Sequence, residues 1–333
     1  MNTPQHILLI RLKSIGDVLF TLPAVHVVRE NFPAAKLLFL VSREHAPLLR
    51  GFAEIDAVIP LDRAVYRSGN LISAASSTFG LLRVLRRENF SLAIDFQGYG
   101  ETELLSWWSG APRRWGCVYN RSRGWLYTRG IRLNGNIHPA DDHLALLEES
   151  GLRPGKIRNE FVLPADALDE AQNAFAANNL DAARLTLFIQ PFTSSPLKDW
   201  PLENFLALAR HWQARGWQVL FGGGPSDRTA LEPARAAGFP VSAGVPLLVT
   251  AGLMKFSTLV AGGDTGLLHL AVALGKRVLM IMGSNTPGST HPFGHPEWAV
   301  TPSKGKTVSE IQTASVIEAS ARAFSEQAGS GFC

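Results

Sequence analysis

ILLIRLKSIGDVLFTLP at residues 7–23 and AGGDTGLLHLA at residues 261–271 are the two stretches that decide the fold. The first begins with a short apolar run and the second with the end of one, and each then passes through a small polar loop and continues with the apolar spacing of a helix. A strand that runs through a loop into a helix is the repeating unit of open parallel α/β sheets, which bind ligands where such strands end. Two of these units in one chain predict two lobes facing a cleft.

Length and composition suit a globular protein with two cores, since the chain has 333 residues of which 46% are hydrophobic. Its apolar runs, such as residues 7–10 and 278–282, are far shorter than the roughly 20 residues that a membrane span requires. Arg11 and Lys13 follow the first apolar run, which reverses the order of charge and apolar core in a signal peptide. We therefore expect a cytoplasmic protein.

The cysteines argue against a disulfide framework and against a zinc site. Cys117 and Cys333 are far apart, and neither belongs to a CxxC pair or to a cluster of cysteine and histidine. Other residues also lack the spacing of metal ligands. We expect neither a metal ion nor a cofactor.

Strand and helix patterns alternate in both halves, which predicts two parallel sheets with right-handed crossovers. The first half predicts strands at 6–11, 36–41, 57–60 and 92–96 and helices at 16–31, 71–88 and 141–150. The second half predicts strands at 185–189, 218–221, 258–261 and 277–282 and helices at 202–215, 227–237, 247–255, 265–274 and 309–328. The Pro- and Gly-bearing segment 151–165 is the expected linker between domain 1–160 and domain 161–333. We expect that the tail helix packs back across the boundary.

Residues 62–132 are strongly basic, with eleven arginines, no lysine and five acidic residues, a net charge of +6. A solvated helical face is the ordinary explanation of such a run. Alternatively, guanidinium groups bind phosphate or carboxylate, and indole rings offer flat surfaces to sugars or to a membrane interface. An anionic, partly amphipathic acceptor would suit Arg113, Arg114, Arg121 and Arg123, which alternate with tryptophans. Nucleic acid is disfavoured because no RNA- or DNA-binding motif occurs.

The loop at residues 262–266 has the composition of an anion site. Thr265 and Gly266 open a helix whose first N–H groups lack intrahelical partners, and these donors suit a diphosphate. Asp264 complicates this interpretation, because a carboxylate is itself a good helix cap and repels phosphate. A capped helix without a ligand therefore remains an alternative. His269, one turn into the helix, is either a packing residue or a phosphate contact.

Two further strand ends carry polar or glycine-rich loops. In residues 190–201 the hydroxyls of Thr193 and Ser194 would reach a phosphate, and Lys198 would neutralise a departing diphosphate. Gly223 belongs to a glycine-rich loop against which a nucleoside would lie. Neither loop has the Walker A or the GxGxxG pattern, which disfavours a kinase and a dinucleotide-dependent dehydrogenase.

Asp17 follows the first strand and is open to two interpretations. An ionised carboxylate at this position would take a proton from a hydroxyl group as that hydroxyl attacks. The alternative is that Asp17 only caps the helix that follows.

Three motifs in this order resemble glycosyltransferase family 9, the ADP-heptose:lipopolysaccharide heptosyltransferases. They are the Ser-Ile-Gly-Asp-Val core with its Thr-Leu-Pro end at residues 14–23, the Lys-x-Trp-Pro loop at 198–201, and Asp-Thr-Gly with His-Leu-Ala at 264–271. The resemblance implies a GT-B fold: two Rossmann-like, doubly wound α/β domains facing a central cleft, with the acceptor in the first and the nucleotide sugar in the second. It also implies metal-independent transfer with inversion.

Site residues follow from the resemblance position by position. It implies that Asp17 is the general base and that Lys198 stabilises the leaving group. The implied donor-binding residues are Thr193, Ser194, Gly223, Asp264, Thr265, Gly266 and His269, with Asp264 on sugar hydroxyls. The expected acceptor-binding residues are Lys13, Arg113, Arg114, Arg121 and Arg123. The chain departs from the family near the ribose, where residues 225 and 226 are not acidic and Asp227 is the substitute.

The implied reaction moves a heptose from ADP-heptose to the inner core of lipopolysaccharide, on an acceptor of lipid A–Kdo type. The expected partners are this nucleotide sugar and the anionic acceptor, with peripheral contact at the cytoplasmic face of the inner membrane and a monomeric chain. The alternatives are a transferase of the same fold with another nucleotide sugar or acceptor, a nucleotide-sugar epimerase, and a non-catalytic sugar-nucleotide-binding protein.

Overall fold

The computed structural model describes residues 4–67, 69, 71–118, 121–284, 286 and 288–329. Within these ranges the side chains of residues 66, 67, 71, 121–123 and 326–329 are not described. The chain divides into two compact units, Met1–Asn159 and Glu160–Cys333. Their boundary lies inside segment 151–165, where the composition predicts a linker.

The first unit is built on a parallel sheet of six strands in the order β3-β2-β1-β4-β5-β6. The apolar runs of the central strands are buried on both faces, as in parallel sheets covered by helices. The strands are β1 (His6–Ile10), β2 (Lys36–Ser42), β3 (Ala57–Leu61), β4 (Leu92–Asp95), β5 (Arg113–Val118) and β6 (Arg129–Arg132). The helices are α1 (Ile15–Leu19), α2 (Leu22–Asn31), α3 (Ala64–Arg67), α4 (Leu71–Arg87), α5 (Gly100–Trp108) and α6 (Pro139–Glu149), with 3-10 helices at Arg43–Gly51 and Arg121–Leu126.

The second unit repeats this plan with a six-stranded parallel sheet in the order β12-β11-β10-β7-β8-β9. Its strands are β7 (Thr186–Gln190), β8 (Gln218–Gly223), β9 (Val241–Ala243), β10 (Leu259–Gly263), β11 (Val278–Ile281) and β12 (Ala299–Val300). Its helices are α7 (Ala165–Ala177), α8 (Leu202–Gln213), α9 (Glu232–Ala236), α10 (Leu247–Phe256), α11 (Gly266–Ala273) and α12 (Thr313–Gly329), with 3-10 helices at Pro196–Lys198, Pro225–Asp227, Pro296–Trp298 and Val308–Glu310. The tail helix α12 packs on α8 and β11 of its own unit.

Two predicted helices are wrong in extent, and proline explains both. The helix predicted at 16–31 is two helices, α1 and α2, with a break at Phe20 and Thr21. Pro23 lies in the first turn of α2, where its missing N–H costs nothing, whereas inside one long helix it would clash with the preceding turn. Likewise the helix predicted at 227–237 shrinks to α9, which has Pro233 in its first turn.

Several elements are absent from the sequence prediction: α3, α5, α7, β5, β6, β9 and β12. The most consequential are β5 and β6, because they run through the segment where arginines and aromatics alternate. Strand β6 is the edge of the sheet and is mostly exposed, so it lacks the apolar pattern of a central strand. Among the described helices, none combines the length and the apolar character that a bilayer span needs.

Candidate functional site

Each sheet reverses its strand order at one place. In the first unit this switch point lies between β1 and β4, and in the second between β7 and β10. In open α/β sheets ligands bind in the crevice outside the carboxyl ends of the strands at such a point. The loops that follow β1 and β4, and those that follow β7 and β10, therefore form one candidate site in each unit.

Asp17 lies in the first turn of α1, directly after β1. Its Oδ2 accepts a hydrogen bond from the Ser14 backbone N–H (2.9 Å), so the carboxylate does cap the helix. Its Oδ1 lies 2.8 Å from Arg11 Nη2. The side chain is nevertheless 37% exposed, so the capping carboxylate is also accessible to a ligand.

Arg11 connects the two loops at the first switch point. Its guanidinium is almost wholly buried and also donates through Nη1 to the Phe96 carbonyl after β4 (2.7 Å). The next residue along the chain, Leu12, donates its N–H to Gln97 Oε1 (2.9 Å). A buried arginine held at both ends fixes the position of the Asp17 carboxylate.

Asp95 is a buried acid that the sequence reasoning did not single out. It ends β4, accepts hydrogen bonds from Tyr127 Oη (2.6 Å) and from the Gln97 N–H (2.8 Å), and is fully buried. Burial raises the pKa of its carboxyl above the ordinary value, although the hydrogen bonds oppose this. The signal was available, since a carboxylate at the end of the run Leu-Ala-Ile-Asp interrupts an apolar strand. We assign Asp95 to the support of the loop after β4.

The predicted acceptor-binding residues have different surroundings. Lys13 is exposed in the loop between β1 and α1. Arg113 and Arg114 are half-buried on β5, and the Arg114 guanidinium donates to the carbonyls of Leu126 (2.8 Å) and Ala111 (2.7 Å). The side chains of Arg121 and Arg123 lie outside the described part of the chain.

In the second unit, Asp264 lies at the centre of a cluster of polar side chains after β10. Its carboxylate lies 3.1 Å from Lys198 Nζ and 3.4 Å from His269 Nε2, and it accepts a hydrogen bond from Thr290 Oγ1 at 3.2 Å. The three partners come from the loop after β7, from α11 and from the loop after β11. The structure thus brings together Lys198, Asp264 and His269, which the sequence places up to 71 positions apart.

Neighbouring side chains compensate the negative charge of Asp264. Burial, which leaves 14% of the side chain exposed, would raise the pKa of its carboxyl. The hydrogen bonds and positive charges of His269 and Lys198 outweigh burial and lower this pKa below its ordinary value. Because the carboxylate is ionised and paired, it repels a nearby anion less than an isolated carboxylate would.

Thr265 and Gly266 open α11 as the sequence predicts. Thr265 is the N-cap, and its Oγ1 accepts from the Leu268 N–H at 3.4 Å. Among the hydrogen bonds of the described residues, none uses the N–H of Gly266 or of Leu267. These two donors stand at the positive end of the helix and suit an anionic group.

Thr193 packs against the backbone of β10 close to this helix start. A Cβ placed on Gly263 would lie only 2.5 Å from Thr193 Cγ2, so only glycine permits the approach. The Thr193 N–H donates to Asp199 Oδ1 (2.8 Å), which shapes the loop, while Ser194 is exposed. Of the two predicted donor-binding hydroxyl residues, Thr193 therefore lies beside β10.

Gly223 is the last residue of β8, which lies next to β7 in the sheet. The loop continues through Gly224 to the short 3-10 helix that ends at Asp227. Asp227 Oδ2 accepts from the Gly224 N–H (2.8 Å), and Asp227 Oδ1 accepts from Ser226 Oγ (3.2 Å). Both carboxylate oxygens thus hold the turn together.

Comparison with known proteins agrees with this arrangement. The lipopolysaccharide core heptosyltransferase OpsX of Haemophilus influenzae is 25% identical over 308 residues, which are 88% of this chain and 83% of the relative. A glycosyltransferase family 9 structure from Veillonella parvula superposes with a TM-score of 0.85 at 21% identity over 97% of both chains. The E. coli heptosyltransferase WaaC with ADP-2-deoxy-2-fluoro heptose has a TM-score of 0.76 at 20% identity, over 97% of this chain and all of that one.

These likenesses and the two doubly wound parallel sheets show the GT-B fold. The model of glycosyltransferase family 9 (heptosyltransferase) matches residues 78–315, well over half of the sequence. This chain therefore belongs to glycosyltransferase family 9, the heptosyltransferases.

Proposed function

We propose that this enzyme moves a heptose from ADP-heptose to the inner core of lipopolysaccharide, on an acceptor of lipid A–Kdo type. The observation that carries the proposal is the cluster of Lys198, Asp264 and His269 beside the start of α11. The core heptosyltransferase that is similar over most of the chain supports the acceptor. The similar structure that holds an ADP-heptose analogue supports the donor.

The second unit offers the diphosphate both a helix terminus and a mobile cation. The N–H groups of Gly266 and Leu267 bind its oxygens, and Thr193 and Ser194 add hydroxyl donors. Lys198 is more than half exposed, so its ammonium can turn from Asp264 to a phosphate oxygen. Asp264, released from the lysine, then accepts hydrogen bonds from hydroxyls of the sugar.

The chemistry is a single in-line displacement with inversion. Asp17 takes the proton of an acceptor hydroxyl, and the oxygen of that hydroxyl bonds to the anomeric carbon of the heptose as the bond from this carbon to the diphosphate oxygen breaks. The electron pair leaves with ADP, whose new charge is stabilised by Lys198 and by the start of α11. No metal ion takes part.

The acceptor carries phosphate groups and a lipid anchor. Its anionic part binds Lys13, Arg113 and neighbouring arginines, and the enzyme works as a monomer at the cytoplasmic face of the inner membrane. The contact with the membrane is peripheral, and it is sensitive to salt because it depends on opposite charges.

The test is a transfer assay with purified acceptor. Incubation with ADP-heptose should add the mass of one heptose to a lipid A–Kdo acceptor and release one ADP per heptose, in the presence of a chelator as in its absence. ADP-heptose without acceptor is the control for epimerisation, because an epimerase would convert the donor alone. A chelator-sensitive reaction, or no transfer to this acceptor, would contradict the proposal.

The second candidate is a donor with another nucleotide. Asp227 is the acidic residue expected near the ribose, but both of its carboxylate oxygens are already bound within their own turn. A thermal-shift screen of nucleotide sugars separates the two, since a ligand that binds only the folded chain raises its stability by RT ln(1 + [L]/Kd). ADP-heptose should give the largest shift. A larger shift with a uridine or guanosine sugar would replace the donor and leave the fold and the family unchanged.

A further inference from the structure

Large apolar side chains lie exposed on two neighbouring helices of the first unit. On α4 they are Ile72 (83% exposed) and Phe79 (69%), and on α5 they are Leu104, Trp107 and Trp108. With Arg86 these residues define what we call the α4–α5 surface. Contiguous exposed apolar groups of this kind on a folded protein mark an interaction site rather than ordinary surface.

The helical spacing and one ring contact make this a continuous surface. Ile72, Phe79 and Arg86 are separated by seven residues each and therefore lie along one face of α4, while Leu85 turns inward and is buried. On α5, Leu104 precedes Trp107 and Trp108 by three and four residues, so all three share a face.

Arg86 joins the two helices across the surface. Its guanidinium carbon lies 5.7 Å from the centre of the Trp108 ring, in the range of a cation–π contact. Trp107 and Trp108 are themselves in edge-to-face contact, with ring centres 6.0 Å apart. The apolar face of α4 therefore continues into the two indole rings of α5.

The unpaired charge on this surface is positive, because Glu101, on the same face of α5, pairs with Arg63 at 3.0 Å. Arg83, Arg86 and Arg87 are exposed on α4, and among the described residues no carboxylate lies within ion-pair distance of any of them. A second copy of the chain on this face would bring like charges together, which disfavours self-association. An anionic partner with an apolar interior matches both the guanidinium groups and the rings.

We propose that the α4–α5 surface rests on an anionic lipid bilayer. The two tryptophans enter the interfacial region, where rings with one polar edge are favoured, and Ile72 and Phe79 add apolar area. The arginines bind lipid phosphates while their stems lie along apolar surface. The inference rests on the proposed function, because a lipid-anchored acceptor gives the enzyme its reason to visit a membrane. It adds which side chains make the contact.

Vesicle sedimentation of the full chain tests the proposal without turnover. Wild-type protein should bind to mixed vesicles that contain phosphatidylglycerol and phosphatidylcholine in equal amounts. It should bind much less to vesicles of phosphatidylcholine alone. The pair I72S/F79S should bind the mixed vesicles roughly tenfold more weakly, because two apolar side chains leave the interface. Both residues are so exposed that folding should not change, and transfer to a lipid-free acceptor should keep the wild-type rate.

Matched variants distinguish vesicle binding by the α4–α5 surface from binding by the net charge of the chain. R83E/R86E should abolish sedimentation, whereas R210E/R322E, which changes the net charge equally at exposed arginines of the second unit, should keep most of it. V162S removes an apolar side chain that is 56% exposed outside the surface and should bind like wild type. The proposal would be overturned if both arginine pairs lost vesicle binding equally, or if I72S/F79S bound vesicles like the wild type. It would also be overturned if the wild type were a dimer and I72S/F79S a monomer. Sedimentation that behaves as expected in a chain inactive with ADP-heptose would overturn the proposed function alone.

Discussion

At the scale of single residues, Asp17 caps α1 and is also the general base that we propose. One oxygen is bound to the Ser14 N–H and the other to Arg11, yet a third of the side chain is open. The two interpretations that the sequence leaves open are therefore compatible. Only a rate measurement on a variant decides whether the exposed part carries the reaction.

Asp17→Asn should keep the fold and lower kcat at least about a hundredfold, since loss of a general base costs factors of this size. The asparagine oxygen still accepts from Ser14, so the cap survives. Asp56→Asn is the matched control, because it breaks the Arg29 ion pair (2.6 Å) in the same unit and leaves the site intact. Initial rates and melting temperatures of both variants check this, and a turnover close to wild type in Asp17→Asn would remove it as base.

His143 makes the stability of the first unit depend on pH. The ring is buried between the Phe20 and Phe96 carbonyls, at 3.0 and 3.1 Å. Burial and the charge of Arg11 lower its pKa from 6.5 to about 4, against the opposing effect of the carbonyls. Between these values the unfolded chain binds the proton and the folded chain does not, so stability rises with pH and is lost as pH falls from 6.5 towards 4.

The free energy of unfolding of the wild type should thus fall by roughly 3 kcal/mol across this window on account of His143. In His143→Gln the slope against pH between about 4 and 6.5 should become shallower, whatever constant loss the variant suffers. Urea titrations at intervals of pH measure it. An unchanged slope would show that other groups set the dependence.

At the scale of elements, the close approach of β10 to β7 decides where the donor loops lie. A Cβ placed on Gly262 would lie 2.3 Å from the Gln190 carbonyl oxygen and 2.8 Å from Leu268. Neither the backbone oxygen nor the buried leucine can move away at low energetic cost. Gly262 is therefore a packing requirement of the switch point.

Gly262→Ala should destabilise the protein by about 1–3 kcal/mol, because the added methyl overpacks the sheet. It should also weaken ADP binding, since the loops after β7 and β10 move apart. Gly80→Ala is the control: it lies in α4 with open space around it and should stabilise by up to about 1 kcal/mol. Denaturant unfolding and calorimetric ADP binding test both, and equal stability of the two variants would contradict the steric argument.

At the scale of the whole molecule, each unit has its own sheet, core and switch point. The proposed donor-binding residues Lys198, Asp264 and His269 all belong to the second unit, whereas Asp17 and Arg11 belong to the first. Under this proposal, ADP without the sugar binds to the second unit.

ADP should slow hydrogen exchange in the loops after β7 and β10 and at the start of α11, because bound N–H groups open less often. Peptides from residues 6–60 should keep their exchange rates. The same experiment with AMP is the control, since AMP lacks the second phosphate that the α11 terminus and Lys198 would bind. Protection confined to the first unit, or equal protection by AMP, would contradict the assignment of the diphosphate site.

How much the sequence reveals can be read from particular segments. Apolar runs such as Leu187–Ile189 and the turn signals around them predict most strands within a residue or two, because a strand buried on both faces leaves a local pattern. The edge strand β6 is mostly exposed and rich in arginine, so it leaves no such pattern and the sequence does not predict it. The break between α1 and α2 was missed although Pro23 marks it.

The sequence by itself determined the fold class, the order of the elements and the chemical character of the loops, since these follow from neighbours along the chain. Only the tertiary structure decided the pairings: Lys198 with Asp264, Arg11 with Phe96, and Thr290 with Asp264. These partners are between 26 and 85 positions apart. They meet because the crossovers place β10 between β7 and β11, and β4 beside β1, and no local pattern records which strands become neighbours.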